Sequence, residues 1–105
     1  MSSRFPEWGG SSTTLDAEAE FESPLGQALS RDTAIVGSVF ADKEGVLHIE
    51  QGSDGENWDV DAEYEIGASD GKGFSETVVA RYWRVRFVNG EEKQGAFRIS
   101  YGLRG

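Results

Sequence analysis

A row of alternating carboxylates is the feature of this sequence that most directly invites a chemical interpretation. Residues 58–66 read WDVDAEYEI, and every second residue is acidic. The acidic residues are Asp59, Asp61, Glu63 and Glu65. In a strand they would lie in a line on one face, about 6.5–7 Å apart, whereas calcium needs about six to eight oxygens that converge from a curved loop. The spacing therefore favours the solvated face of a strand over a metal site or a catalytic pair.

Other candidates for chemistry are equally weak. The segment SDGENWDVD at residues 53–61 superficially resembles a calcium loop, but it lacks the EF-hand spacing and its terminal glutamate, so it indicates a turn. His48 is the single histidine, and the absence of cysteine excludes a thiolate zinc site and a cysteine nucleophile. The sequence contains no catalytic triad or phosphate-binding glycine loop, and nothing singles out a carboxylate pair for glycoside hydrolysis. We expect no enzymatic activity, no catalytic residue, no metal and no cofactor.

The bulk properties of the chain restrict its size and its partners. Its 105 residues suffice for one compact domain, and 37% hydrophobic residues with abundant aromatics indicate a packed core. The formal net charge of −9 argues against binding nucleic acid or an anionic membrane through a broad basic surface, and it suits a soluble protein or one that docks on a basic partner. Residues 1–16 lack the apolar core of a secretory signal, so we expect synthesis in a cytoplasm.

Alternation of apolar and polar residues predicts about seven strands separated by turns. The predicted strands are 15–22, 34–42, 46–51, 58–66, 74–80, 80–88 and 95–103. Hairpins are expected across Lys43–Gly45 and at Asn89–Gly90, because Asn and Gly accept the positive φ of a type I′ turn. The pattern predicts an all-β fold, either a small antiparallel β-sandwich of Ig-like or jelly-roll-like type or a small barrel. The predicted core consists of Trp58, Val60, Tyr64, Ile66, Trp83, Val85, Phe87, Phe97 and Ile99.

Residues 1–14 are predicted to form an extended N-terminal arm, and residues 15–105 a single sandwich domain. The arm is polar and rich in Ser, Thr and Gly, yet it carries Phe5, Pro6 and Trp8. These residues could fold back onto the domain or cover a sheet edge, or the arm could reach a neighbouring subunit. They are accordingly the candidate partner-binding residues.

The basic residues concentrate late in the chain. Alternation places Tyr82, Arg84 and Arg86 on the polar face of one strand and Arg98 on the polar face of the next. Because opposite charges on neighbouring strands attract, we expect the acidic strands to lie beside Arg84, Arg86 and Arg98. The alternative is a separate basic patch for an acidic partner. Parity also makes Tyr82 and Tyr101 the surface aromatics that a carbohydrate site would need.

Two longer segments resemble a known group of proteins. GSVFADKEGVLHIEQGSDGENWD (37–59) and YWRVRFVNGEEKQGAFRIS (82–100) resemble turn and core motifs of small β-sandwich virion proteins of tailed phages and prophages, which are head decoration or tail-associated modules. The resemblance covers residues 34–100 and leaves the arm outside. It departs from the usual pattern at Gly52, where Ser is usual.

The resemblance implies a non-enzymatic structural protein of the virion, foremost a capsid decoration or cementing protein that binds the outer surface of the major capsid protein. The alternative is a carbohydrate-binding adhesion module of a phage head or tail, with Tyr82, Arg84 and Arg86 as its surface patch. The implied partners are the major capsid protein or another virion protein, while homo-oligomerisation and a glycan ligand stay open. The expected location is the capsid surface, and neither nucleic acid nor membrane binding is expected.

Overall fold

The computed structural model of the chain describes residues 8–28 and 33–104, and every regular element among them is a β-strand. The strands are β1 Gly9–Ser11, β2 Glu20–Glu22, β3 Gly26–Gln27, β4 Ala34–Ala41, β5 Gly45–Gly52, β6 Val60–Ile66, β7 Asp70–Thr77, β8 Tyr82–Asn89 and β9 Phe97–Arg104. The all-β prediction is confirmed, with nine described strands where about seven were predicted. None of the described segments forms a helix with the length and hydropathy of a membrane span.

The strands form two antiparallel sheets. One sheet has four strands in the order β1-β9-β4-β7, and the other has the order β2-β8-β5-β6 with β3 also paired to β8. Buried apolar side chains from both sheets form a single cluster between them. Within it, the rings of Phe87 in β8 and Phe97 in β9 lie 5.0 Å apart between centroids, which joins the two sheets. The predicted antiparallel sandwich is therefore confirmed.

Alternation within the strands explains which side chains enter this core. In β8 every second residue is buried, because successive side chains of a strand point to opposite faces. The predicted core residues that are buried are Ile66, Trp83, Val85, Phe87, Phe97 and Ile99. Tyr64 is half-buried and packs against them. The prediction is wrong for Val60, which is 41% exposed at the start of an edge strand, and for Trp58, which precedes that strand and is half-buried outside the core.

Both hairpin predictions are wrong, because each proposed pair of strands is divided between the two sheets. β4 and β5 flank the predicted turn at Lys43–Gly45, but β4 pairs with β7 and β9 while β5 pairs with β6 and β8. β8 and β9 likewise lie in different sheets, and the backbone at Asn89 and Gly90 does not adopt the positive φ of a type I′ turn.

The two connections that were expected to be hairpin turns hydrogen-bond to each other instead. Gly95 N donates to the two carboxylate oxygens of Asp42 at 3.0 and 2.9 Å, and Gly90 N donates to the carbonyl of Glu44 at 3.1 Å. These contacts close one end of the sandwich where the chain passes from one sheet to the other.

The predicted strand at residues 15–22 is shortened to β2, so its first half is a wrong prediction. The chain turns at Glu18, which has a φ of 62°, before β2 begins. The side chain of Asn89, which is buried, donates from Nδ2 to the carbonyl of Asp16 at 2.9 Å. This contact between distant parts of the chain holds the turn and overrides the local alternation.

Part of the predicted arm belongs to the folded sheet. Residues 9–11 form β1, which pairs with β9 and covers that edge of the four-stranded sheet. Trp8 directly precedes β1, whereas Phe5 and Pro6 lie outside the described residues.

The strand predicted at residues 74–80 begins and ends earlier, as β7, Asp70–Thr77. Gly71 and Gly73, which were expected in a turn, are strand residues that pair with Phe40 and Ser38 of β4. The position of these glycines matters for the outer surface of the four-stranded sheet, because they present no side chain there.

Candidate functional site

The outer face of the five-stranded sheet carries a network of charged side chains centred on Glu50. The register places Glu50 of β5 between Asp61 of β6 and Arg84 of β8. Nε of Arg84 donates to Oε1 of Glu50 at 2.6 Å, and Arg86 donates from Nε to Oε1 and from Nη2 to Oε2, each at 3.2 Å. The Glu50 side chain is only 7% exposed, so these bonds replace water that the carboxylate has lost.

The titration of Glu50 reflects this opposition of burial and charge. Burial by itself raises the pKa of Glu50, but hydrogen bonds from Arg86 and Arg84 outweigh it, so the pKa lies below its ordinary value of 4.5. In return, the hydrogen bonds that Arg86 donates to Glu50 raise the pKa of the Arg86 guanidinium. Glu50 and Arg86 are therefore both charged at neutral pH.

Acidic residues of β2 extend the network on the other side of β8. An oxygen of Glu22 lies 3.3 Å from Nη1 of Arg84, and an oxygen of Glu20 lies 3.5 Å from Nη1 of Arg86. The prediction that acidic strands lie beside Arg84 and Arg86 is confirmed. It is wrong for Arg98, because β9 belongs to the opposite sheet.

Three side chains of this face have metal-ligand spacing. His48, Glu50 and Asp61 each place one potential ligand atom within 4.8 Å of the others, and Nδ1 of His48 lies 3.0 Å from an oxygen of Asp61. Both oxygens of Glu50 already accept hydrogen bonds from arginine, so an ion bound there would have to share this carboxylate with two cations. Sequence reasoning missed this cluster, because only the register of β5 with β6 brings Asp61 to His48 and Glu50.

The surface patch suggested for carbohydrate, Tyr82, Arg84 and Arg86, is engaged within the molecule. The Arg84 guanidinium lies 4.6 Å from the ring centroid of Trp58, and that of Arg81 lies 5.6 Å from the ring centroid of Tyr82. Because carboxylates also hold Arg84 and Arg86, this patch offers an external ligand few free donors.

The second tyrosine suggested for a surface site, Tyr101, is a wrong prediction because it is buried in the core. Its ring lies edge-on to Trp83 at 6.0 Å, and burial raises the pKa of its hydroxyl. The predicted turn at residues 53–61 is confirmed at its start. The Asp54 carboxylate accepts hydrogen bonds from the backbone N of Asn57 and Glu56 and from Nδ2 of Asn57, which hold the pKa of Asp54 at about 2.

The outer face of the four-stranded sheet has a different character, because small residues form its centre. The register aligns Gly73 of β7, Ser38 of β4, Ser100 of β9 and Gly10 of β1 in one row across the sheet. Two hollows of about 560 and 620 Å³ share Ser38, Gly73 and Ser100 as their floor. We refer to them together as the outer basin. Each small residue is unremarkable in the sequence, and only the strand order reveals the basin.

Aromatic and basic side chains line the two ends of the outer basin. At one end the guanidinium of Arg98 lies 4.4 Å from the ring centroid of Phe40, and at the other end lie Trp8 and Arg104. Trp8 is 57% exposed, so the one candidate partner residue that falls within the described chain is available at the surface. Arg98 and Arg104 are six positions apart on one strand, which corresponds to about 20 Å.

The outer basin lies on a face where the paired residues of the described strands include no carboxylate. The residues that the register places there on the three longer strands are Ala34, Val36, Ser38, Phe40, Gly71, Gly73, Ser75, Thr77, Arg98, Ser100, Gly102 and Arg104. None is acidic, although the chain has 19 Asp and Glu. Arg98 and Arg104, both exposed, form no salt bridge with any residue in the described part of the chain.

Comparison with known proteins identifies the family. Residues 7–104 match the family described as "Uncharacterised protein YqxG N-terminal domain". The chain belongs to this family. The match with the YqxG N-terminal domain extends over β1 and most of the predicted arm. A search of curated protein sequences found no significant match.

The fold of this YqxG N-terminal domain is shared with a solved structure. It is similar to the crystal structure of the PBSX exported protein XepA, with a TM-score of 0.83 and 23% sequence identity. The alignment covers 92% of this chain and 36% of that chain, so the chain spans about a third of the XepA chain. At this identity the likeness concerns the fold.

Proposed function

We propose that this chain is a non-enzymatic structural module of a phage or prophage, and that it decorates a particle by binding the major capsid protein or another virion protein. Membership of the YqxG N-terminal domain family, together with the fold shared with the PBSX exported protein XepA, supports a phage-derived protein. The word "exported" in the name of that protein supports a location on the virion or outside the cell.

Trp8 carries the docking part of the proposal. Tryptophan is among the residues that contribute most to protein interfaces, and Trp8 exposes 57% of its surface. The adjacent strand β1 is hydrogen-bonded to β9, which fixes the backbone next to Trp8 before a partner binds. Docking therefore costs less conformational entropy. Residues 1–7 directly precede Trp8 in the sequence, so they are candidates for further contacts with such a partner.

The test measures how much protein binds to purified phage particles. We expect Trp8→Ala to lower the bound fraction at least tenfold. Leu25→Ala is the matched control, because Leu25 is 56% exposed and precedes β3 in the other sheet. Equal binding by the Trp8→Ala variant and the unaltered protein would show that Trp8 is not the docking residue.

Deletion of the arm needs a boundary that respects the fold. Removing residues 1–13 would also remove β1 and expose an edge of β9, so lost binding could reflect lost structure. Removing residues 1–7 preserves β1. If the arm contributes to docking, this shorter deletion should weaken particle binding while leaving the urea midpoint of unfolding unchanged.

A further inference from the structure

The outer basin combines a floor of small residues, an exposed tryptophan and two arginines that have no acidic partner among residues 8–28 and 33–104. We propose that it binds an anionic polysaccharide, whose carboxylate or phosphate groups contact Arg98 and Arg104 while a sugar ring packs on Trp8. This site goes beyond docking on a virion protein and does not depend on it. It also places carbohydrate recognition on the sheet opposite the patch around Tyr82.

The charge distribution determines the class of ligand. A guanidinium presents a planar fork of donors that matches a carboxylate or a phosphate. On the five-stranded sheet Arg84 and Arg86 already donate hydrogen bonds to Glu50, whereas Arg98 and Arg104 have no carboxylate partner in the part of the chain that the structure describes. The acidic face of the other sheet lies on the far side of the sandwich, where packed sheets are about 10 Å apart. Arg98 and Arg104 line the basin itself, so they act on a ligand there at closer range than those carboxylates do.

The backbone of the basin favours a sugar chain over an acidic peptide. β4 and β9 lie inside the sheet and pair on both sides, so a peptide lying on them cannot join the sheet as a further strand. Its own backbone groups would lose water without gaining regular partners. A polysaccharide instead offers hydroxyls that can exchange hydrogen bonds with Ser38 and Ser100, and apolar ring faces that can pack on Trp8.

The shape of the basin favours an extended ligand over a small molecule. Sites for small ligands usually enclose most of the ligand surface, whereas the two hollows here lie side by side on the face of a sheet. Their rims carry the arginines about 20 Å apart along β9. A polymer can reach both arginines at once, while a single sugar can reach only one.

The experiment is a calorimetric titration of the full chain at about 0.15 M salt, where distant charges are screened. The probes are oligogalacturonate for carboxylate, phosphorylated mannan oligosaccharide for phosphate, a neutral maltodextrin and an oligoglutamate peptide. The test variant is Arg98→Ala/Arg104→Ala. Its matched control, Arg81→Ala/Lys93→Ala, removes the same charge from two exposed positions outside the basin. Ser38→Leu fills the floor without changing the charge, and thermal unfolding confirms that each variant is folded.

We expect at least one of the two anionic oligosaccharides to bind, and which of them binds identifies carboxylate or phosphate as the preferred group. The arginine double variant and Ser38→Leu should each weaken this binding at least tenfold, while the control stays within twofold. Four results would overturn the proposal: no binding of either anionic oligosaccharide, equal binding of the neutral maltodextrin, equal binding by the double variant, or tighter binding of oligoglutamate.

The same arginine variant separates this proposal from docking on the virion. Particle docking rests on Trp8, so Arg98→Ala/Arg104→Ala should retain full particle binding while it loses oligosaccharide binding. Both sites use Trp8, but only the glycan site uses the two arginines. Intact oligosaccharide binding by this variant would therefore overturn the glycan site, and loss of both kinds of binding would overturn its independence from docking.

Discussion

Nε of Arg84 lies 2.6 Å from Oε1 of Glu50, and this contact joins two central strands of the five-stranded sheet on its outer face. Glu50 also accepts two hydrogen bonds from Arg86, so one buried carboxylate compensates two guanidinium groups. The arrangement explains how a sheet of this acidic chain can hold two arginines side by side. It also makes Glu50 the residue on which that face depends.

Replacing Glu50 by Gln should therefore destabilise the protein by about 3 kcal/mol, because it leaves two partly buried guanidinium groups without their shared anion. The measurement is the free energy of unfolding in urea. Glu63→Gln is the control, since the Glu63 side chain is 62% exposed and lies 3.8 Å from His48, and it should change stability by less than about 0.5 kcal/mol. Similar unfolding free energies for the two variants would contradict a central role for Glu50.

The stability of the protein should fall in acid in a way that depends on Glu50. The folded state lowers the pKa of Glu50 below 4.5, so the carboxylate contributes stability above about pH 4.5 and loses that contribution as the pH falls through its folded value. The difference in unfolding free energy between the unaltered protein and Glu50→Gln should accordingly shrink between pH 7 and pH 3. A difference that is constant across this range would show that the charge of Glu50 is not what stabilises the fold.

Serine at position 52, which is usual in the proteins that this chain resembles, should not fit here. A Cβ at Gly52 would lie 1.9 Å from the carbonyl oxygen of Asn57, and a backbone atom cannot move aside cheaply. We expect Gly52→Ser to cost about 1–3 kcal/mol of unfolding free energy. Gly71→Ala is the matched strand control, since a Cβ there meets nothing within 4 Å. Equal stability of the two variants would mean that the backbone after β5 shifts to accommodate a serine side chain at position 52 at little cost in free energy.

Local alternation was sufficient to predict most of the strands and most of the core. β8 and β9 each bury one face against the opposite sheet, so apolar residues recur at every second position of their sequences. The same reasoning failed at the connections. A turn sequence such as Asn89–Gly90 indicates that the chain changes direction, but whether the next strand joins the same sheet depends on partners far away in sequence.

The candidate surfaces were predictable only in part for the same reason. Trp8 stood out because a large aromatic in a polar segment is visible in the sequence itself. The outer basin was not predicted, because its floor is made of Ser and Gly residues from three strands. Each of these residues is ordinary in its own strand, and only the order β1-β9-β4-β7 brings them together. The sequence also did not predict that Arg98 lacks a carboxylate partner among the described residues, since this follows from the sheet to which β9 belongs.

Asn89 shows most clearly how such a distant contact determines the fold. It is 2% exposed, and its Nδ2 donates to the carbonyls of Leu15, Asp16 and Glu92 at 3.3, 2.9 and 2.8 Å. The side chain thus ties the segment before β2 to the corner between β8 and β9. The local sequence around residues 15–22 does not predict these contacts with Asn89. They nevertheless end the strand alternation in that segment.

Asn89→Asp should be far more harmful than its small change in shape suggests. The aspartate would present acceptors to three carbonyl oxygens and bury a charge without a donor, so we expect a loss of about 3 kcal/mol or more at pH 7. Asn89→Ala removes the same hydrogen bonds without adding charge and should cost about 1–3 kcal/mol. A protonated aspartate regains one hydrogen-bond donor. The difference in unfolding free energy between Asn89→Asp and Asn89→Ala should therefore become smaller as the pH is lowered. The measurement is urea unfolding of both variants between pH 7 and pH 3. If Asn89→Asp is no less stable than Asn89→Ala at pH 7, the Asn89 amide does not act as a donor to these carbonyls.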